Sequence, residues 1–159
     1  MSILHCFQTG SVVPDLASPD KYEAIRELIR RAPVFQEIAD RAAFEESVIA
    51  RERLQSTGLG HGVAVAHGRT AAAARVVIAL GLSRQGIPFD SPDGEPVQLL
   101  FVIASPVSLS LDYLQALSTL VRCVRSRSLR DSLFGPGDVA SIESRIRDAF
   151  TGVAARSTC

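Results

Sequence analysis

Two of the three histidines in this 159-residue chain, His61 and His67, fall within seven residues of one another. Imidazole is the side chain best suited to carrying or passing a charged group near neutral pH. Three glycines at alternate positions, Gly58, Gly60 and Gly62, precede His67. They permit backbone conformations closed to other residues and a close approach to a ligand. A run of small apolar residues, Val63-Ala64-Val65-Ala66, then delivers His67 to a strand end, followed by Gly68. Strand ends in α/β sheets are where rigid backbone meets solvent and ligand chemistry sits. The pattern is not a dinucleotide-binding GxGxxG, because its third glycine comes one residue too early. It is not a Walker A loop, because no Lys-Ser/Thr pair follows. No serine-centred nucleophile elbow appears. A metal held by His61 and His67 would need a third ligand to which nothing in the sequence points.

Positioning such a segment takes a scaffold, and the expected elements are these. Ile3–Phe7 reads as a short strand. Ser18 suits a helix N-cap, Pro19 the first helical position and Asp20 the positive end of the dipole. Tyr22, Ile25, Leu28 and Ile29 give that helix one apolar stripe, and Arg30 and Arg31 close it before Pro33. A second helix starts near Asp40 and runs through Phe44, Val48 and Ile49 to about Leu54. The glycine-spaced stretch from Gln55 reads as flexible. Arg75–Leu82 and Val97–Ala104 read as buried strands, with Gly86–Phe89 as a fourth strand or an extended arm and residues 91–96 as a turn. Helices follow over about Leu109–Arg125, Leu129–Phe134 and Asp138–Phe150, the last capped by Asp138. Buried strands between helices predict an α/β fold, a three-layer α/β/α sandwich whose mixed sheet is covered by helices on both faces. The expectation is one domain over residues 1–159.

Lys plus Arg and Asp plus Glu both number 17, so no general attraction to nucleic acid or anionic lipid is expected. Arg122, Arg125, Arg127 and Arg130 form a local basic cluster, readable as a solvated helix face or a docking patch. The N-terminus lacks the basic and long apolar regions of a signal peptide. The apolar runs are strand-sized, far short of the ~18 residues of a membrane span, so no membrane insertion is expected. Cys6, Cys123 and Cys159 are widely spaced and free of CxxC pairing, which argues for a reducing, cytoplasmic setting.

The run RERLQSTGLGHGVAVAHGR, Arg51 to Arg69, resembles the signature of EIIA domains of the bacterial phosphotransferase system, of the fructose/mannitol type and its nitrogen-regulatory branch. That signature reads approximately RE-x-x-x-x-T-G-x-G-x-G-x-A-[IV]-P-H-G. Arg51, Glu52, Thr57, Gly58, Gly60, Gly62, Ala64, His67 and Gly68 match it. The similarity extends to the helix at Asp20–Leu28 and the strand at Asp93–Ile103. The resemblance implies a phosphocarrier without cofactor or metal. His67 would attack phosphohistidine on an HPr-like carrier, and the phosphoryl group would pass to a sugar permease EIIB subunit or mark the protein for regulatory targets. A neutral imidazole, about three quarters of an unperturbed histidine at pH 7, has the lone pair for this. By the match, Arg51 is the guanidinium of the site. The backbone of Thr57, Gly58, Gly60, Gly62 and Gly68 would form a phosphate-facing loop, with the Thr57 side chain either forming the turn or contacting oxygen. His61 fills a variable slot, as a bystander or hydrogen-bonding group.

Two departures stand out. Ala66 replaces the proline before the active histidine. Tyr113, in Tyr113-Leu114-Gln115-Ala116-Leu117, replaces a second histidine usual in an H-L-x-x-L pattern, and a phenol hydrogen-bonds but carries no positive charge. A free-standing chain suits the regulatory branch. The alternative is an EIIA-like regulator that no longer transfers phosphate and acts by protein contact. A metal-dependent hydrolase using both histidines is the third and least favoured reading.

Overall fold

The computed structural model describes residues 2–157, with the side chains of residues 3–156; Cys159 lies outside the described residues. Five strands make one mixed sheet: β1 (Val12–Val13), β2 (Gly58–Gly60), β3 (Val63–Arg69), β4 (Val77–Ile87) and β5 (Val97–Ser105), in the order β1-β4-β5-β3-β2. β3 and β5 are parallel, while β4 is antiparallel to β5 and β2 antiparallel to β3. The C-terminal ends of β3 and β5 and the start of β4 therefore meet at one end of the sheet.

Five helices cover it: α1 (Lys21–Arg31), α2 (Arg41–Leu54), α3 (Ser110–Val124), α4 (Arg127–Leu133) and α5 (Val139–Ser157). Strand alternation divides the apolar residues between two cores. Val63, Val65, Leu99, Phe101 and Ile103 join α3, α4 and α5. Ala64, Ala66, Leu100, Val102 and Ala104 face α1 and α2. The three-layer α/β/α arrangement is thus the one the buried strands dictate. Among the described residues, no helix is long and apolar enough to cross a membrane.

Several local expectations need correction. Ile3–Phe7 is not a strand; Ser2–His5 forms a 3-10 turn. Ile3, Cys6 and Phe7 are buried while Leu4 and His5 are exposed, a helical rather than an alternating spacing. The cap of α1 is Asp20, not Ser18: its carboxylate accepts from the N–H groups of Tyr22 and Glu23 at 3.0 and 3.1 Å. Ser18 instead donates its hydroxyl to Glu27 at 2.8 Å. The stretch after Gln55 is not an unstructured segment, because Gly58–Gly60 pairs with β3. β4 runs unbroken through Gly86 to Ile87, with a register shift after Leu82 and a positive φ at Gly86. α5 continues past Phe150, burying Ala154.

β3 shows why its apolar residues are small on one side. Ala64, Ala66 and Gly68 let α2 lie close, and a Cβ at Gly68 would fall 2.7 Å from Val48 Cγ2 and 3.0 Å from the Val48 backbone nitrogen. A backbone atom cannot swing aside as a side chain can. Gly68→Val is therefore expected to cost about 1–3 kcal/mol by overpacking, read as a lowered urea midpoint with unchanged slope. An unshifted midpoint would mean that α2 moves away freely.

Candidate functional site

His67 lies near the C-terminal end of β3, paired with Ile103 of β5. Alternation aims its ring toward α3, on the same side as Val63 and Val65. There it meets Tyr113, with ring centroids 5.3 Å apart and planes at 43°. Tyr113 is buried in the first turn of α3. The ring of His67 is half-buried, and its Nδ1 is enclosed without a partner at hydrogen-bonding geometry.

β2 spans three residues, and its flank reaches β3 only as far as Val65, whose N–H donates to the Thr57 carbonyl at 3.1 Å. Beyond Val65 the outer edge of β3 has no strand beside it. Arg51, in the last turn of α2, acts electrostatically on both His67 and Tyr113. Its Nη1 donates to the Gln55 carbonyl at 2.9 Å, which anchors the guanidinium at the helix end. Arg69 follows His67 by two residues and so shares its face of the strand. It also acts on both rings. It was missed as a site residue in the sequence, although the i, i+2 spacing from His67 was visible there.

These surroundings lower the proton affinity of His67 below the ordinary histidine value. Burial is the main cause, followed by the Arg51 charge; the Val65 backbone pulls the other way, as a carbonyl facing a ring N–H does, and Arg69 adds to the lowering. Burial raises Tyr113 above the ordinary phenol value, against the pull of Arg51 and Arg69, so the phenol is neutral at pH 7. The consequence for stability has a definite sign. A histidine with a lowered native pKa binds fewer protons folded than unfolded. Native stability therefore falls as pH drops through the unfolded value of about 6.5, and levels off below the native one. His67→Gln should flatten the stability loss between pH 7 and 5 relative to the parent chain, measured by urea unfolding at each pH. Parallel pH curves would show that His67 titrates as in the unfolded chain.

The glycines fall elsewhere. Gly60 and Gly62 have φ of 91° and 78° and His61 has 56°, so they form the tight turn between β2 and β3. That turn is at the opposite end of β3 from His67, five residues or about 16 Å along the strand. The His61 N–H donates to Asp93 at 2.8 Å, and the residue lines a hollow of about 310 Å3 with Val121 and Arg125. The two histidines are thus not brought together. Among the described residues no group of three or more His, Cys, Asp or Glu is arranged to hold a metal. Thr57 N–H and hydroxyl both go to Glu52, and the Gly58 N–H goes to Ser56 Oγ. Gly68 packs against Val48. The structure therefore sets His67 beside Tyr113, both under the charge of Arg51, and gives the glycines turn and packing positions. In the basic cluster, Arg130 caps α3 by donating to the Val124 and Arg125 carbonyls at 2.7 and 3.1 Å.

The three-layer α/β/α sandwich thus carries a neutral histidine, under the charges of Arg51 and Arg69, at the joint end of two parallel strands. Residues 5–148 match the family described as phosphoenolpyruvate-dependent sugar phosphotransferase system, EIIA 2, and the chain belongs to that family. It is 31% identical over 144 residues to a nitrogen regulatory protein of Bradyrhizobium diazoefficiens, covering 91% of this chain and 94% of that protein. It is also 31% identical over 133 residues to the fructose-specific EIIABC component of Bacillus subtilis, covering 84% of this chain but 21% of that much longer protein. The crystal structure of nitrogen regulatory protein IIA-Ntr from Neisseria meningitidis superposes with a TM-score of 0.81 at 30% identity, over 91% of this chain and 98% of that one.

Proposed function

We propose that this chain is a phosphocarrier that accepts a phosphoryl group on His67 from an HPr-like phosphohistidine donor. It then acts on regulatory targets or passes the group to a permease EIIB subunit. One observation carries the reading: a half-buried imidazole, held neutral by burial and by Arg51, has one nitrogen enclosed against the protein. With the proton on Nδ1, the lone pair is on Nε2. Nε2 forms the new N–P bond as the donor's N–P bond breaks. The electron pair of the breaking bond stays with the donor ring, which leaves neutral if its other nitrogen was protonated, and His67 keeps its own proton. Little covalent work remains for the protein beyond placing the groups and stabilising charge. Arg51, with its fork of donors, suits phosphoryl oxygens. Tyr113 offers a neutral hydroxyl donor beside the ring. Relatives named nitrogen regulatory protein and relatives named fructose-specific EIIA match at similar identity, and the structural likeness to IIA-Ntr supports the regulatory branch.

A second reading has its own observation: the ring beside His67 is the neutral phenol of Tyr113, where the resemblance implies a second histidine, and this favours a regulator that works by contact alone. Incubation with a phosphorylated HPr-like carrier, followed by a phosphate-affinity gel, separates the two. The expected result is an acid-labile shift that His67→Ala abolishes. Absence of any shift in the parent chain, with the donor shown to be active, would leave the contact reading.

A further inference from the structure

We infer that Arg69 pairs with Arg51 as a two-guanidinium clamp on the phosphoryl group carried by His67, supplying the positive charge that Tyr113 does not. The inference rests on the proposed phosphocarrier reading. It starts from position in the strand. His67 and Arg69 are alternate residues of β3 and face the same side of the sheet. Past Val65, β3 has no strand on its outer edge among the described residues, and α2 meets that edge through Ser47. The backbone of Arg69 is fixed on both sides: its N–H donates to Ser47 Oγ at 3.2 Å, and the next residue, Thr70, donates to the Ser105 carbonyl at 3.0 Å.

Partnership, or its lack, gives the second argument. Four arginines among the described residues are ion-paired with carboxylates, Arg30 and Arg26 with Glu45, Arg31 with Asp15 and Glu27, Arg127 with Asp131, and Arg130 and Arg145 are held by backbone carbonyls. Among the described residues, the side chain of Arg69 has neither ion pair nor hydrogen bond, and Arg51 has only the Gln55 carbonyl. Both act on the same two rings, His67 and Tyr113. Two guanidiniums without an ion pair, one from α2 and one from β3, acting on one half-buried imidazole, suit a transient dianion. A phosphoryl group brings a charge of about −1.5 to −2. It would be held by Arg51 from the helix side and by Arg69 from the strand end while the N–P bond forms to Nε2 and the donor's bond breaks.

The test uses the full chain as parent, Arg69→Gln and Arg69→Lys, and two phosphoryl donors. One is a phosphorylated HPr-like carrier. The other is phosphoramidate, a small P–N donor that makes no protein contact and releases ammonia as its P–N bond breaks. Arg69→Gln is expected to slow labelling of His67 by about 10- to 100-fold with both donors, below the range for loss of an enclosed preorganised donor because Arg69 is exposed. Arg69→Lys should recover much of the rate, since it keeps the charge and loses only the fork. Unchanged unfolding midpoints would confirm that the fold is intact. Loss with the carrier alone would overturn the clamp and leave Arg69 as a docking residue. Equal rates for Arg69→Gln and parent with both donors would overturn it outright. Failure of the parent chain itself to be labelled by either donor would instead remove the phosphocarrier reading beneath it.

Discussion

Lys21→Met should cost the fold about 3–5 kcal/mol, the penalty for leaving one member of a buried ion pair uncompensated. The reason is Glu52, whose side chain is fully enclosed, with 0% exposure. Its carboxylate sits 3.4 Å from the Lys21 ammonium and accepts both the N–H and the hydroxyl of Thr57. Lys21 itself is 10% exposed and also reaches Asp90 at 3.2 Å. Burial works to lower its pKa, but the Asp90 hydrogen bond and the Glu52 charge outweigh it, and the ammonium is held charged. The Asp90 contact contributes little, because that carboxylate is 84% exposed and screened. With Lys21 gone, Glu52 keeps two hydrogen bonds and a buried charge. Glu52→Gln should be milder, because Lys21 can still turn to Asp90, and the double variant should be less destabilised than the sum of the two. Urea unfolding of all four chains is the measurement, and strict additivity would show that the pair does not interact.

The second large effect concerns transfer rather than stability. On the proposed reading, Arg51→Ala should lower the rate of His67 phosphorylation by about 10²–10³-fold, the range for removing a preorganised charge donor in an enclosed site. Two causes act together. The phosphoryl oxygens lose a forked donor, and His67 loses one of the charges that keep it neutral, so more of it is protonated and unable to attack. The loss should therefore deepen as pH falls from 8 toward 6, whereas Arg51→Lys, which retains the charge, should show a smaller loss of constant size. Stopped reactions with a phosphorylated HPr-like donor across that range would show it. A pH-independent loss in Arg51→Ala would mean that the guanidinium touches the phosphoryl group without tuning the imidazole.

Much of this was legible from residue order. The helix stripes, the apolar runs of β4 and β5 and the Arg51–Arg69 signature announced the sandwich and placed His67 at the end of its strand. Purely local patterns misled where tertiary contacts decide. Ile3, Cys6 and Phe7 looked like a strand because short apolar runs do not reveal their period. Ser18 looked like the cap because Ser-Pro is a good opening, but Glu27 claims its hydroxyl. The glycines were the more instructive case. Their spacing fits a ligand loop and a tight hairpin equally well, and only the pairing of β2 with β3 assigns them to the second, far from the histidine. Arg69 was hidden by the opposite problem: one more charged residue after a motif carries no signal until the strand shows which way it faces.

The burial of Nδ1 has a consequence for traffic through the proposed site. Both edges of the imidazole do not open to solvent, so every incoming and outgoing phosphoryl group must use the same port. A histidine seated in a paired strand cannot swing between two stations as one on a loop can. Supplier and receiver would then be mutually exclusive visitors, and the chain would run as a relay whose initial-rate plots form parallel lines, with excess unphosphorylated supplier blocking delivery.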